Sequence, residues 1–523
     1  MTATMNPVAP PRTPPVMTLL PRLIGCAAAL TLAGCQTAPP GADRTTVAAQ
    51  LVSRTGQTLP DFTIPGQFAL PPGASFDDGL TEDEALAIAL WNNAAFLELL
   101  ADLGVARGDL IQAGLLPNPE VLYFFNVPNK PFKYALEFPL EALWLRPVRV
   151  ASAAAESARV ADRLAQAGLD LMRDVRQAYA DVLLAKARLE VAKKTVELRN
   201  DIRGFAEKRL KNGDISEQEA ATARIDALQG EQDATRAAFD VPIAEERLRN
   251  LLGMGPLRAP LALDPTPLPP PLNASADQLA ADAMATRPDA AAAAKAVAAA
   301  EARVRLAKLG WVRFLGVLDA SSGRATGHEF GPAFRVTLPI FNQNQGGIAR
   351  AEAELDRARR NQLTVANQIV LDVQRAYLQY QQATAEMAAL KTTVRPEVEA
   401  AIGRSRAAYQ EGNVAIFIVL ETTRQLLDNY LREAVLNGDL RRTWAELERS
   451  VGRKLAAPPV VARVPNANVP FTPPPPPATP DDPPPPAKPV DPMKPATMPP
   501  KPVRVDPPLP VIPSIPPPAG NAP

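Results

Sequence analysis

Few side chains in this 523-residue sequence are of the kinds that make or break bonds. There are two cysteines, Cys26 and Cys35, and one histidine, His328. A single imidazole beside Glu329 is a poor metal site, because zinc takes three or four protein ligands. His328 is therefore read as a solvent-exposed loop residue. No phosphate loop, nucleophile elbow, HExxH helix or Cys/His cluster occurs, and no strand-end pair of carboxylates stands out. The chain reads as a non-enzyme without cofactor or metal. Past Cys35 there is no thiol, so neither a disulfide nor a thiolate metal site can form there.

Cys35 is the one residue whose surroundings point to covalent chemistry. Arg12 and Arg22 supply positive charge, and Leu23 to Ala33 is an apolar run too short to span a bilayer. It ends in Leu32-Ala33-Gly34-Cys35, which resembles a bacterial lipoprotein processing box. Such a box implies cleavage before Cys35, a thioether-linked diacylglycerol on its sulfur and an acyl chain on the new amine. Several chains on one residue anchor far better than one. Gln36 follows rather than Asp, so the inner-membrane retention signal of that class is absent. The plainer alternative is an ordinary signal peptide with an incidental cysteine. Residues 1–34 are thus expected to be a signal peptide that takes Cys26 with it, and 35–78 a lipidated linker rich in Pro, Gly and Thr.

The remaining chain is organised by repetition. Leu171, Val175, Ala178, Val182, Ala185, Leu189 and Ala192 step by 4 and 3, the spacing of a coiled-coil seam. Ile369, Val373, Ala376, Tyr380, Ala383, Met387 and Leu390 repeat the pattern 198 residues later. Pro139 pairs with Pro339, Gly213 with Gly412 and Gly253 with Gly452, at offsets of 199 and 200. Each half reads as a helix, two strands, a long helix and a return helix. The first helix runs from about Thr81 to Leu115, opened by the capping box Thr81-x-x-Glu84. Strands are expected over Val121–Val127 and Lys133–Leu140, then Trp311–Ala320 and Phe330–Ile340. The long helices run from about Val148 to Lys211 and Gly347 to Gln410. Each has about 64 residues, or roughly 95 Å of rod at ~1.5 Å per residue. Expected boundaries are 79–255 for the first repeat, 256–273 for a Pro-rich connection, 274–456 for the second repeat and 457–523 for a disordered tail. From Pro458 onward the tail holds 28 of the 58 prolines.

Composition narrows the partners. There are 56 acidic and 56 basic residues, so no basic field exists to attract nucleic acid. No uncharged apolar stretch reaches 18 residues, which argues against a membrane-spanning helix. A rod of such length suits a conduit across a wide compartment. Four strands per chain cannot close a barrel, but three chains would supply twelve strands and, by threefold symmetry, a ring of twelve helices.

The residues also carry a family resemblance. Leu80-Thr-Glu-Asp-Glu-Ala-Leu86, Ala113-Gly-Leu-Leu-Pro-Asn-Pro119, Arg287-Pro-Asp289, Leu338-Pro-Ile-Phe-Asn-Gln-Asn-Gln-Gly346 and the turns around Gly213 and Gly412 resemble the TolC-type outer-membrane factors. The match covers about Leu80 to Leu455. Phe341-Asn-Gln-Asn-Gln-Gly346 and Leu136-Glu-Phe-Pro-Leu140 are most similar to the cobalt-zinc-cadmium efflux branch. The resemblance implies a mainly α fold with a small β part. It implies a homotrimer in the outer membrane, a 12-stranded transmembrane barrel on a 12-helix periplasmic barrel. It also implies a periplasmic adaptor and an inner-membrane efflux transporter as partners. The chain would be the passive exit duct of a tripartite pump.

Site residues follow from the same resemblance. Gly213, Asp214 and Ile215, with Gly412, Asn413 and Val414, would be adaptor-docking tips; the alternative is a plain helix end. Glu219 and Glu421 would form an acidic ring at the periplasmic mouth, where crowded carboxylates attract cations; a solvated helix face is the alternative. The family pattern favours Asp at the sixth residue after the second glycine, and here that residue is Ile418. A structural coiled-coil lipoprotein without a pore is the competing reading of the whole chain.

Overall fold

The structure, a computed structural model, describes residues 41–60, 64–76, 79–127, 130–255, 257, 261–264, 267–323, 327–411, 413–414 and 416–455. The chain divides into two units, Met1–Val460 and Val461–Pro523, and every described residue lies in the first. The expected signal peptide, Cys35, Gly412 and the Pro-rich tail fall outside the described residues.

In chain order come α1 (Arg44–Thr55), α2 (Glu82–Asn92), α3 (Ala94–Gly114), β1 (Glu120–Val127), β2 (Lys130–Pro139), α4 (Glu141–Lys211) and α5 (Glu217–Leu251). Then follow α6 (Ala276–Thr286), α7 (Pro288–Leu309), β3 (Phe314–Gly323), β4 (Gly327–Val336), α8 (Gln345–Ala389), α9 (Arg395–Gln410) and α10 (Ile416–Val451). A π-helical turn, Leu390–Val394, joins α8 to α9.

The heptad stripes are the buried seams of α4 and α8. All seven second-copy positions, Ile369 to Leu390, are buried, as are Leu171 to Ala185 of the first. Leu189 and Ala192 are half-buried. α3 and α5 pack along α4, and α7 and α10 pack against both α4 and α8. The shorter helices meet end to end. Asn93, which begins α3, donates its amide Nδ2 to Leu251 O at the end of α5 (2.9 Å). Thr286 Oγ1 donates to Val451 O at the end of α10 (3.0 Å), beside the start of α7. Carbonyls orphaned at one helix end are thus met by residues at the junction between two other helices. Gly253 and Gly452 close α5 and α10 at φ +68° and +86°, the left-handed stop that glycine permits.

Local departures from the sequence reading have local causes. The helix expected from Thr81 to Leu115 bends by 50° between α2 and α3. Asn93 leaves helical geometry there, and its side chain accepts from Phe96 N (3.0 Å) to cap α3. The stretch read as linker contains α1, capped by Asp43, which accepts from Thr46 N (3.0 Å). Val47 and Leu51 of α1 are fully buried, and Leu51 lies over Gly168 of α4, where an added Cβ would come 2.8 Å from it. α4 begins before Pro147, not at Val148. Proline costs a helix one amide donor, and Arg146 Nε, donating to Gly114 O (2.6 Å), pins that turn. The π turn ends just before Pro396, where an ordinary turn would clash with the ring.

Candidate channel wall and helix-end turns

The sequence offers two strand pairs. The structure joins them, through β2 and β3, into one antiparallel sheet of order β1-β2-β3-β4. The register sorts its side chains by chemistry. Tyr123 is opposite Tyr134, Tyr134 opposite Ala320, and Ala320 opposite Phe330. The adjoining row on that face is Val121, Leu136, Leu318 and Pro332, and Phe138, Gly316 and Phe334 form another. Val121, Tyr123, Phe125, Tyr134, Leu136, Leu318, Phe330 and Phe334 are all exposed. An exposed face this apolar and aromatic needs a nonaqueous neighbour. At its helical end Phe314 stacks on Phe334 (ring centroids 5.6 Å apart) and Trp144 packs tilted against Phe314 (6.2 Å).

The other face holds the charges. Glu120, Lys133, Glu137, Asp319, Glu329 and Arg335 all stand there. Arg335 donates to both oxygens of Glu137 (3.1 and 2.8 Å) across the intervening strand. Lys133 lies 3.7 Å from Asp319 and 5.6 Å from the Phe124 ring centre. Apolar outside and polar inside, with period two, is the pattern of a strand between lipid and a wet lumen.

Both layers are open at both edges. β1 and β4 have no outer partner among the described residues. In the helical layer α5 and α8 are the flanks of the series α5, α4, α10, α8. Each flank exposes apolar residues: Ile225, Leu228, Phe239 and Ile243 on α5; Leu363, Val370, Leu371 and Leu378 on α8.

At the far end of the long helices lie the two turns. Gly213 has φ +79°, its N–H reaches Leu210 O (3.0 Å), and Asp214 N–H reaches back to Arg209 O (2.9 Å). Asn413 N–H makes the matching bond to Ala408 O (2.8 Å). Asp214 and Asn413 are exposed, and Ile215 and Val414 half-exposed. Ser216 and Glu219 form a capping box that opens α5. The Ser216 amide and hydroxyl hold the Glu219 carboxyl below the usual Glu range. One of its oxygens, Oε2, is committed to that helix start, a role Ser216-x-x-Glu219 signals in sequence. Glu421 accepts from Arg424 (3.2 Å) one turn further along α10. In the described chain these two glutamates lie on different helices and make no contact with each other.

In sequence, Arg287-Pro-Asp289 is a family mark without an evident role. The structure gives it a role. Arg287, 2% exposed, donates to Asp289 (3.0 and 2.5 Å), Asp372 (3.2 Å) and Ser450 O (3.1 Å). Arg449 joins Asp372 (3.1 Å) to Asp170 (2.7 Å). Arg176 is buried between Glu82 (2.9 Å) and Glu448; burial pulls its pKa down, but Glu448, Glu82 and Asp83 together outweigh that and raise it. These ion pairs tie the two halves together at mid-length. Among the described residues no group of three or more Asp, Glu, His or Cys is placed to hold a metal.

Comparison with known proteins agrees with this architecture. The cobalt-zinc-cadmium resistance protein CzcC of Cupriavidus metallidurans is 24% identical over 393 residues, 72% of this chain and 90% of that protein. A crystal structure of CusC, 20% identical, superposes with a TM-score of 0.60 over 76% of this chain and 99% of the other. The outer-membrane channel OprN, 18% identical, gives 0.62 over 76% and 98%. The model of the outer membrane efflux protein family matches residues 132–254 and 279–453. Those segments make up more than half of the sequence, and the chain belongs to the outer membrane efflux protein family.

Proposed function

We propose that three copies of this chain close into one hollow duct that carries exported solute from the periplasm through the outer membrane. Four strands from each copy would make a twelve-stranded barrel. α4, α8–α9 and the end-to-end pairs α3/α5 and α7/α10 would make twelve helical columns beneath it. The observation that carries this reading is the two-faced sheet with both edges open. A sheet whose edges are unpaired cannot sit in lipid, because no water is there to satisfy them, and four strands are too few to close. The two edges are unlike, so copies must join head to tail around a ring.

In this reading residues 1–34 are removed, Cys35 carries the lipid, and 79–255 and 274–456 are two copies of one unit. The turns at Gly213-Asp214-Ile215 and Gly412-Asn413-Val414 meet a periplasmic adaptor that links the duct to an inner-membrane transporter. Glu219 and Glu421 line the mouth in threefold copies. The Glu219→Gln variant separates charge from structure, since Gln also completes a capping box. The chain does no bond chemistry. The name of the Cupriavidus relative makes divalent heavy-metal cations the first export class to test.

The test is the purified protein in detergent and in planar bilayers. Particles of three protomer masses that conduct ions support the duct. A monomer that never conducts leaves a coiled-coil lipoprotein without a pore.

A further inference from the structure

The seam between β2 and β3 inside one copy has an unoccupied twin at the end of β4. Where β2 passes into α4, Leu140 N donates to Phe314 O (2.8 Å). The Leu140 side chain covers Gly316, and a Cβ there would lie 3.1 Å from it. Phe314 N–H is met by the Glu141 carboxylate (3.1 Å). By the repeat, Pro339 corresponds to Pro139, so Ile340 stands for Leu140 and Phe341 for Glu141. Yet Ile340 N turns back to Leu338 O (3.0 Å). Leu338 is 72% exposed, and Phe341 is 93% exposed.

We propose that this corner seats the start of β1 from a second copy, with Leu338 opposite Val121 and Ile340 N–H bonded to Pro119 O. The inference rests on the duct reading and adds the register and the chemistry of the seam. Three observations select it. First, α3 is closed by Leu115 and α7 by Gly310. Pro119 therefore stands four residues past its cap as Phe314 does, and Val121 stands where Gly316 does. Second, by strand alternation Leu338 follows Phe334 and Val336 onto the apolar face, which is also the face of Val121, 69% exposed. A slip of one residue would set apolar side chains against charged ones. Third, both partners of one internal hydrogen bond change together. Glu141 becomes Phe341, an acceptor lost, and Phe314 becomes Pro119, a donor lost. A seam with neither group leaves no orphan amide in a dry place. The join between copies is thus apolar where the join within a copy is polar.

Cysteine pairs test it, because past Cys35 the chain has no other thiol. Val121→Cys is combined in turn with Leu338→Cys, Val336→Cys and Ile340→Cys, and the trimers are oxidised in membranes. Intermolecular disulfide should form fastest with Leu338→Cys, at least several-fold over the other two. Leu122→Cys, on the opposite face, should give none with Leu338→Cys. Trimers that cross-link best through Val336→Cys or Ile340→Cys, or through none of these pairs, overturn the register while leaving the duct intact. Absence of trimers from the parent protein overturns the duct itself. All of these side chains except that of Val336 are well exposed in the single copy, and Val336 is only just exposed, so folding of the copy is spared.

Discussion

Adding one methyl group at three turn glycines should give three different outcomes, ranked by what each Cβ meets. At Gly253 the backbone is left-handed (φ +68°) and the new Cβ would sit 2.1 Å from Asn92 O and 2.4 Å from its carbon. Those atoms are backbone at the α2/α3 bend and cannot swing aside. Left-handed strain of ~1–2 kcal/mol plus overpacking of ~1–3 kcal/mol or more gives a loss of about 2–5 kcal/mol for Gly253→Ala. At Gly452 (φ +86°) the nearest atom is Arg287 Cγ at 2.9 Å, part of a side chain held by four bonds. The loss there should be about 2–3 kcal/mol, from the same strain and a milder clash. At Gly213 (φ +79°) nothing lies within 4 Å. Only the backbone strain of ~1–2 kcal/mol remains, confined to one exposed turn. The assay is folded protein in the outer-membrane fraction together with apparent Tm, since an assembly of this size need not unfold reversibly. The order Gly253→Ala worst, then Gly452→Ala, then Gly213→Ala follows. Equal stability of the Gly253→Ala and Gly213→Ala proteins would refute the idea that the end-to-end helix joints are tightly packed.

Other outcomes can be stated from single sites. Tyr123→Arg puts a cation mid-strand on the apolar face and should cost ~2–4 kcal/mol near a bilayer midplane, whereas Leu122→Arg on the charged face should cost little; folded yield in the membrane distinguishes them. Arg176→Met strands Glu448, 4% exposed, beside Glu82, a loss of about 3–5 kcal/mol that the added change Glu448→Leu should largely reverse in a denaturation assay. The hydrogen bond from Arg159 holds the Glu156 carboxyl below its ordinary value, against burial, which pushes it up. Its contribution to stability is present above the ordinary Glu pKa and is lost as pH falls through the depressed one. Tm of the parent should therefore exceed that of Glu156→Gln at pH 7, and the gap should close under acid; a gap that widens at low pH contradicts this.

What the sequence showed and what it hid divide by range of interaction. The heptad seams were legible because seven apolar residues stepping by 4 and 3 can bury together only on one helix face. Tyr380 at a seam position was no obstacle, since its hydroxyl reaches Pro270 O (3.1 Å) while the ring stays buried. Strand alternation was legible for the same reason: Phe334 and Val336 separate from Ala333 and Arg335 by period two. The union of β2 with β3 was not legible, because it pairs residues 176 to 190 positions apart and depends on helices that bring them together. α1 was hidden by composition. Its signal, Val47, Leu51 and Thr55 at four-residue steps behind Asp43, is present but short. Glu219 was visible as an acid near a turn, and its second identity as a capping residue was equally visible in Ser216-x-x-Glu219.

The repeat explains most of the fold, and its exceptions mark where the halves do different work. Gly253 and Gly452 both stop a helix against the junction of two others, yet one abuts Asn92 and the other Arg287. The first joint is sealed by amide hydrogen bonds, while the second gathers the half-buried Asp289, Asp372 and Arg449 into one charge network around the buried Arg287. A network of that kind is costly to disrupt and demands one geometry. The second half is therefore the one whose mid-length joint is electrostatically fixed. The same asymmetry recurs at the sheet, where Glu141 serves a join inside the copy and Phe341 faces outward. Duplication supplied two equal halves, and at the sheet the change from Glu141 to Phe341 that broke their equality falls where the second half faces away from its twin.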